Sequence, residues 1–450
     1  MHIKSGPLRN FRDNESGGIT IFVILLFLIM VVGGGMAVDF MRQETMRADL
    51  QNALDRGVLA AASFKQGNDP EQIVQDYLDS RSFRDYTYDL NVNSQLSLNS
   101  RLVTADASVR INTFFLKIIG INQLSAVAHG VAKEAITNVE ISLVLDVSGS
   151  MGRNGKMTKL QNAAREFVDT VLTDTTRDKT TISVVPYSAQ VNPGAALASK
   201  YNVNIWQNYD YCLAIPASDY YTTELLPTTQ YDQEQHWRWR SCHYWCPTSD
   251  RQILPFSNNN TELKDMISDL YGQGNTSSYM GMKWGVALLD PETQPVVAGL
   301  IGEGVVDPSF ANRPGPYADP SAPNSDDTLK VVILMTDGVN TTHKRVKDWY
   351  YDRHSPAYWH NRSISYNSNK LETVVNWREG DRRLDHICTA AKDAGIVIYT
   401  IGFEVAGTAA EGKMRNCATS PNNAFLVEGV EISDAFRVIA NDIDQLKLIQ

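Results

Sequence analysis

Cysteine is scarce in this chain: Cys212, Cys242, Cys246, Cys388 and Cys417 are the five among 450 residues. That excludes a small scaffold held together mainly by disulfides. No pair has the C-x2-C spacing of a zinc ribbon. Cys242-His243-x-x-Cys246 offers metal-binding atoms, but a fourth ligand is not evident, and a disulfide is the simpler expectation in an oxidising compartment. Basic charge is not in excess either. The net charge is −10 and the pI near 5.3, which argues against the basic face that nucleic-acid binding requires. Two short basic blocks, Arg238 with Arg240 and His343-Lys344-Arg345, read as solvated loop charge. The composition, 43% hydrophobic and 20% charged, is that of a folded protein rather than a disordered one. The length exceeds one hydrophobic core and predicts two or three domains.

Charge is absent altogether from Gly17 to Val38. Ile19 to Val32 is almost wholly apolar, and Gly33 to Val38 extends the run to about 20 residues, enough to cross a bilayer as a helix. We take 19–38 as a transmembrane anchor and 1–18 as a cytoplasmic lead. Lys4, Arg9 and Arg12 precede the run, which places the N-terminus in the cytoplasm and the bulk of the chain outside, although Arg42 and Arg47 follow closely. A cleaved signal peptide is the competing reading, because Gly35-Met36-Ala37 offers small residues at the cleavage positions, with the cut after Ala37. Against it, Leu50, Ala53, Leu54, Val58 and Ala61 continue at helical spacing beyond the run. Both readings export the rest of the chain.

Residues 39–135 then predict a small α+β segment. Glu71 to Leu78 reads as a short helix. Leu90, Val92, Leu96, Leu98, Leu102, Val103, Ala105, Ala107, Val109 and Ile111 alternate with polar residues, as does Leu124 to Val131, which predicts an antiparallel sheet. A long helix on a small sheet is the layout of pilin-like subunits, an analogy of fold alone.

The most informative pattern begins at Asn138. Val139 to Leu145 is an apolar, β-branched run of the kind buried on both faces of a parallel sheet. It ends in Asp146-Val147-Ser148-Gly149-Ser150-Met151, and a helix follows with Leu160, Ala163, Ala164, Phe167, Val168 and Val171 on one face. A second buried run, Leu329 to Met335, ends in Thr336-Asp337-Gly338. Between them, Gly272-Gln273-Gly274-Asn275-Thr276-Ser277-Ser278 leads into another helix, with Thr276 placed as an N-cap. Ligands of open α/β sheets sit at the carboxyl ends of strands. A carboxylate and two hydroxyls on alternate residues of a tight loop, with a second carboxylate from the next strand, form a hard oxygen set suited to Mg²⁺. A capping role for Asp146 accounts for neither serine nor Asp337. A phosphatase of the haloacid dehalogenase type needs a second acid where Ser148 stands. A serine nucleophile needs a histidine that no motif supplies. The residues therefore predict no enzyme.

These residues resemble the von Willebrand factor A (vWA) domain and its metal-ion-dependent adhesion site. Asp146, Ser148, Ser150, Thr276 and Asp337 match that family's D-x-S-x-S, Thr and Asp in order, with Ser277 or Ser278 as alternatives to Thr276. The resemblance implies an α/β, doubly wound, Rossmann-like domain over 136–450. It also implies a Mg²⁺ or another divalent cation held by those five residues, with one position left for a carboxylate of the partner. The remaining alternation fits: Thr180 to Tyr187, Ile396 to Phe403 and Asn423 to Val427 as strands, Leu384 to Ala394 and Ile432 to Leu446 as helices. Insertions interrupt it at about 201–256, 306–327 and 341–376. Two of them are aromatic, and Trp206, Trp237, Trp239 and Trp245 are candidate partner anchors if exposed, or members of satellite cores if not. Cys388 and Cys417 are expected to pair, leaving one of Cys212, Cys242 and Cys246 over.

The whole order is similar to TadG-like proteins of bacterial tight-adherence (Flp pilus) systems. The similarity rests on Asp13 to Gly18, the helix ending Ala37-Val38-Asp39, Leu50 to Ala62, Thr113 to Ile121, Ile387 to Gly395 and Asn416-Cys417-Ala418. It implies a single-pass protein of the bacterial inner membrane with a periplasmic bulk, binding envelope or pilus-assembly proteins. The anchor lacks a Glu five residues after a Gly, so a processed pilin is not expected. Two other readings remain: a structural pilus component whose cation only stabilises the fold, and a cytoplasmic A-domain chaperone. A metal-dependent hydrolase is a more distant one.

Overall fold

The computed structural model describes residues 18–449 apart from 63–68, 81–82, 84–85, 97–99, 136–137, 175, 241–242, 318–327 and 430. Most of the expected lead, Cys242 and the second half of the 306–327 insertion lie outside the described residues. The chain divides into two compact units, Met1–Ala135 and Ile136–Gln450.

In the first unit a single helix, α1 (Gly18–Ala62), runs unbroken through the glycines and through Ala37. It is long and apolar enough to cross a membrane, and its large side chains from Ile19 to Val31 are exposed. Beyond Asp39 the same helix changes role. Leu50, Ala53, Leu54, Val58 and Ala61 are buried on one face, the i, i+3, i+4 stripe that the sequence predicts. They meet α2 (Pro70–Asp79), with Ile73, Val74 and Leu78, and the inner face of an antiparallel sheet. That sheet is β1 (Tyr88–Leu96), β2 (Ser100–Asn112) and β3 (Gln123–Ala135), in that order. Val103, Ala105, Ala107, Val109 and Ile111 point inward and every second residue points out, as a one-sided sheet requires.

The second unit is built on six strands. β4 (Asn138–Asp146), β5 (Thr180–Tyr187), β6 (Leu254–Ser257), β7 (Thr328–Thr336), β8 (Val397–Phe403) and β9 (Ala424–Val427) lie in the order β6-β5-β4-β7-β8-β9. All neighbours are parallel except β6, which runs antiparallel along the edge of β5. Every residue of β5 and β7 is buried, because helices cover both faces. On one face lie α3 (Lys156–Val171), α4 (Asn260–Asp269) and the C-terminal helix α8 (Glu431–Ile449), packed on Leu143, Leu145, Ile333 and Tyr399. On the other lie α5 (Ser278–Ala287) and α6 (Trp377–Asp393), packed on Val144, Val332 and Ile398. A disulfide, Cys388–Cys417, joins α6 to α7 (Ala409–Cys417).

The insertions depart from the sequence reading in three ways. The first does not stay off the sheet: its last residues form β6. Its remaining chain makes short ladders closed by a Cys212–Cys246 disulfide. Second, of the two roles open to the insertion tryptophans, Trp237 and Trp245 take the satellite-core one. Each is 1% exposed, and their rings stack 4.8 Å apart. With Val346, Tyr351, Trp359, Ile364 and Leu371 they make a satellite core shared with the 341–376 insertion, because two long polar loops without such a core would leave their backbone unsupported. Trp239 is half-buried against Tyr366, and only Trp206 of the four is exposed, at 40%. Third, Arg313 of the 306–327 insertion enters the base of the sheet. It stands 3.4 Å from Glu140, which also accepts from Lys330 Nζ at 2.7 Å and from the Gly315 N–H at 2.8 Å. Glu140 and Lys330 are direct register partners on β4 and β7.

All three charges are buried, so removing one leaves the others uncompensated. Glu140→Ala is expected to destabilise the second unit by about 3–5 kcal/mol, read as a lowered melting temperature of the full chain in detergent. An unchanged melting temperature would show that water reaches the pair.

Candidate functional site

β4 and β7 are adjacent and parallel over eight residue pairs, from Asn138↔Thr328 to Leu145↔Met335. Their carboxyl ends therefore emerge together, and Asp146 and the residue after Thr336, Asp337, reach the same edge. The loop between β4 and α3 is fastened to the loop before α5: Gln273 N donates to Val147 O at 2.7 Å and Gly149 N to Gly274 O at 2.9 Å. The approach is close enough that a Cβ on Gly272 would lie 2.2 Å from the Gly152 nitrogen, so only glycine fits there. The same second loop is tied to the third. Thr341 N donates to Thr276 O at 2.8 Å and Thr276 N to Thr341 Oγ1 at 3.1 Å.

Within this frame Asp146 is fully buried. One carboxylate oxygen accepts from the Ser148 N–H at 2.8 Å, the other from the Thr336 hydroxyl at 2.8 Å and, more weakly, from Tyr187 at 3.4 Å. Burial, and then the charge of Asp337, push its carboxyl up to about 6 against the pull of those donors. Ser148 Oγ lies 3.1 Å from Ser150 Oγ, and Ser150 Oγ donates to Asp337 at 2.7 Å. Four of the five expected residues thus form one connected cluster. Thr276 sits 94% buried in the loop laced to both neighbours. Of the alternatives to it, Ser278 donates its hydroxyl to Asn340 at 2.8 Å.

The sequence reading missed Lys156. Its ammonium stands 3.1 Å from the second oxygen of Asp337 and 3.0 Å from Glu404, which follows β8 with a left-handed backbone (φ 56°). Burial works against that charge, but Glu404 and Asp337 outweigh it and hold the group above its ordinary value. A signal was available: a lysine as the first residue of a helix opposes the helix dipole, which points to a compensating partner elsewhere. With three acidic side chains set against the one Lys156 ammonium, the cluster is a nest of hard oxygens, chemistry that suits a small divalent cation. It does not resemble a hydrolytic centre. The Ser150 hydroxyl is spent on a carboxylate that Lys156 already engages, not on a basic imidazole.

A second polar cluster lies in the insertions. Glu234, 8% exposed, accepts from Gln190 at 3.3 Å and faces His343 Nε2 at 3.7 Å. Burial pushes Glu234 up to about 7 against the charge of Arg345, and pushes His343 down to about 3. Both are then neutral together near pH 6.

Comparison with known proteins touches both units. The Tad family model, described as Flp pilus-assembly TadE/G-like, matches residues 17–63. No curated protein matches the chain. Among solved structures, the vWF domain of the type V pili tip protein Mfa5 from Porphyromonas gingivalis is similar at 13% identity and a TM-score of 0.38, over 70% of this chain and 98% of that one. The pilus adhesin SpaC from Lactobacillus rhamnosus GG is similar at 12% and 0.36, over 80% of this chain and 34% of that one. The adhesive tip pilin GBS104 from Group B Streptococcus agalactiae is similar at 11% and 0.31, over 68% and 100% respectively. These likenesses are distant, and the site stands on its own residues.

Glu234 gives a pH signature. Its pKa is higher folded than unfolded, so its stabilising share is whole below about pH 4.5 and is lost as pH rises through about 7. Glu234→Gln should therefore stabilise the fold at pH 8 by roughly 3 kcal/mol, read as a higher melting temperature, and leave it nearly unchanged at pH 4.5. Equal shifts at the two pH values would mean that the carboxyl ionises freely in the fold.

Proposed function

We propose that this chain is a membrane-anchored cell-envelope protein of Flp (tight-adherence) pilus assembly or surface adhesion. Its doubly wound α/β unit, of vWA type, binds a partner protein through a metal-ion-dependent adhesion site. The observation that carries the reading is the joining of Ser148, Ser150 and Asp337 into one hydrogen-bonded chain beside buried Asp146, at the carboxyl ends of two central strands. The match of residues 17–63 to pilus-assembly proteins supports the setting. Two disulfides in the second unit support an oxidising compartment. Lys4, Arg9 and Arg12 before α1 support a cytoplasmic N-terminus and a single pass through the inner membrane.

Asp146, Ser148, Ser150, Thr276 and Asp337 are the residues that would hold the cation, Mg²⁺ by the hardness of the donors. When bound, the ion supplies an electrophilic position for a carboxylate of the partner. The donor set fits: carboxylate and hydroxyl oxygens, with the Asp146 carboxyl raised by burial and by Asp337. Thr336 and the Ser148 N–H fix the Asp146 rotamer. Lys156 holds one oxygen of Asp337 and leaves the other toward Ser150, so that no reorganisation of the acids is needed. No residue of the cluster is arranged to transfer a proton or attack a substrate, in keeping with a binding rather than a catalytic role.

A second reading has its own support. Asp146 is fully buried, Ser148 is 1% exposed and Asp337 8%, which suits a cation that stabilises the fold and meets no partner. The two separate by experiment. In both, Mg²⁺ raises the melting temperature of the wild type and not of Asp146→Ala. Only in the first do chelator and Asp146→Ala abolish capture of an envelope partner by the full chain. Capture that persists under both treatments would remove the site from the working surface.

A further inference from the structure

The turn between β2 and β3 is held against α1 by an unusual set of contacts. The backbone N–H groups of Phe114, Phe115 and Leu116 all donate to the carboxylate of Asp39, at 3.1, 2.8 and 2.9 Å. The Phe115 ring rests on Gly35, where a Cβ would lie 2.2 Å from a ring carbon. The Arg42 guanidinium lies 4.3 Å from the centre of the Phe114 ring and 3.9 Å from Asp39. Thr113 closes the base of the turn, donating its N–H to Asn122 O at 3.0 Å and its hydroxyl to Ile121 O at 2.5 Å. Asp39 and Leu116 are buried by this arrangement.

A turn so firmly fixed has no need of exposed oil, yet it carries a good deal. Phe114 is 66% exposed, Ile118 67%, Ile119 53% and Ile121 43%. Folding the first unit does not cover them. They stand at the level of residues 35–42 of α1, where the apolar run that begins at Ile19 reaches its end, and Val38, Phe40 and Met41 on the helix are exposed at the same level. The turn thus adds exposed apolar side chains beside those of the helix. Phe115 reaches back from Asp39 to Gly35, four residues, or about 6 Å along a helix axis. That matches the roughly 5–10 Å to which interfacial elements enter a bilayer. Exposed Lys117 and half-buried Arg42 flank the surface, placed for lipid phosphates with their stems in the apolar layer. The Asp39 carboxylate, which would oppose anionic lipid, is turned inward and satisfied by three N–H groups.

We infer that the Phe114–Ile121 turn is a second membrane contact: it inserts into the bilayer leaflet that α1 leaves, and Asp39 and Gly35 set its depth. This rests on the reading of α1 as a membrane anchor. A lipid surface is favoured over a second protein copy by the place of the turn beside the end of the anchor and by the cations at its rim.

The test uses the full chain in a Cys242→Ser background, reconstituted in vesicles of phosphatidylethanolamine and phosphatidylglycerol. Single cysteines replace Leu28 on the anchor, Ile118 on the turn and Asn93 on the exposed β1, each spin-labelled and probed with oxygen and with a water-soluble nickel chelate. The turn inserts if the labels at 28 and 118 both favour oxygen and the label at 93 favours nickel. Gly35→Val should then lower the oxygen-to-nickel ratio at 118 severalfold and leave that at 28 unchanged. A label at 118 as open to nickel as that at 93, with 28 in lipid, overturns the inference and spares the anchor. A label at 118 shielded from both probes means a protein partner, and also overturns it. A label at 28 in water removes the anchor reading, and the inference with it.

Discussion

Two carboxylates must be brought to one buried edge, and much of the second unit can be understood from that constraint. The parallel register of β4 and β7 delivers Asp146 and Asp337 together. Left alone, they would repel in a medium that screens poorly. The surrounding residues answer this repulsion one donor at a time: the Ser148 N–H and Thr336 hydroxyl on Asp146, the Ser150 hydroxyl and Lys156 ammonium on Asp337. The loops that carry these donors must lie close, and the glycine contact between Gly152 and Gly272 is how they do so. The result is a preorganised acidic nest whose geometry does not wait on a ligand.

The central strands were legible because their physics is simple. A strand covered on both faces has to be apolar throughout, and Val139 to Leu145 and Leu329 to Met335 meet that demand in the sequence itself. The loop serines and Asp337 were legible because each sits immediately after such a run. Lys156 was marked only by its unfavourable place at a helix start, since its partners Asp337 and Glu404 are distant in the chain and meet it only through the sheet. The edge strand Leu254–Ser257 was hidden for another reason. It has four residues, one of them Pro255, which lacks an N–H and suits an outer strand but not an inner one. In the first unit, the buried stripe of α1 was plain from its spacing, whereas the role of Asp39 depends on a turn 75 residues away.

Aromatic residues were the least legible, because composition does not distinguish a ring that faces a partner from one that faces another ring. Trp237 and Trp245 face each other, and Trp359 lies parallel to Tyr351 at 5.0 Å. The two aromatic insertions are in effect one structure: Ile364 N donates to Arg238 O, Val346 N to the side chain of Gln235, and His236 meets His360 at 3.1 Å. Long loops usually supply adaptable surface. Here the stacked rings and the disulfide Cys212–Cys246 make that surface stiff, so a partner would meet a preformed shape, and less ordering entropy would be lost on contact.

Helix α1 has a consequence for the order of events during synthesis. Its first half is apolar and exposed, and its second half is the wall on which the first sheet is built. The wall leaves the ribosome before any strand does. β3 must later find it across long sequence separations, through contacts such as Gln43 with Ser125 and Gln51 with His129. On the proposed reading, in which α1 is seated in a bilayer, that search runs beside a surface, with the helix held at a fixed height and the turn arriving from above. Substitutions between Asp39 and Ala62 would therefore be felt twice, once in how the helix is seated and again in how quickly the sheet closes on it.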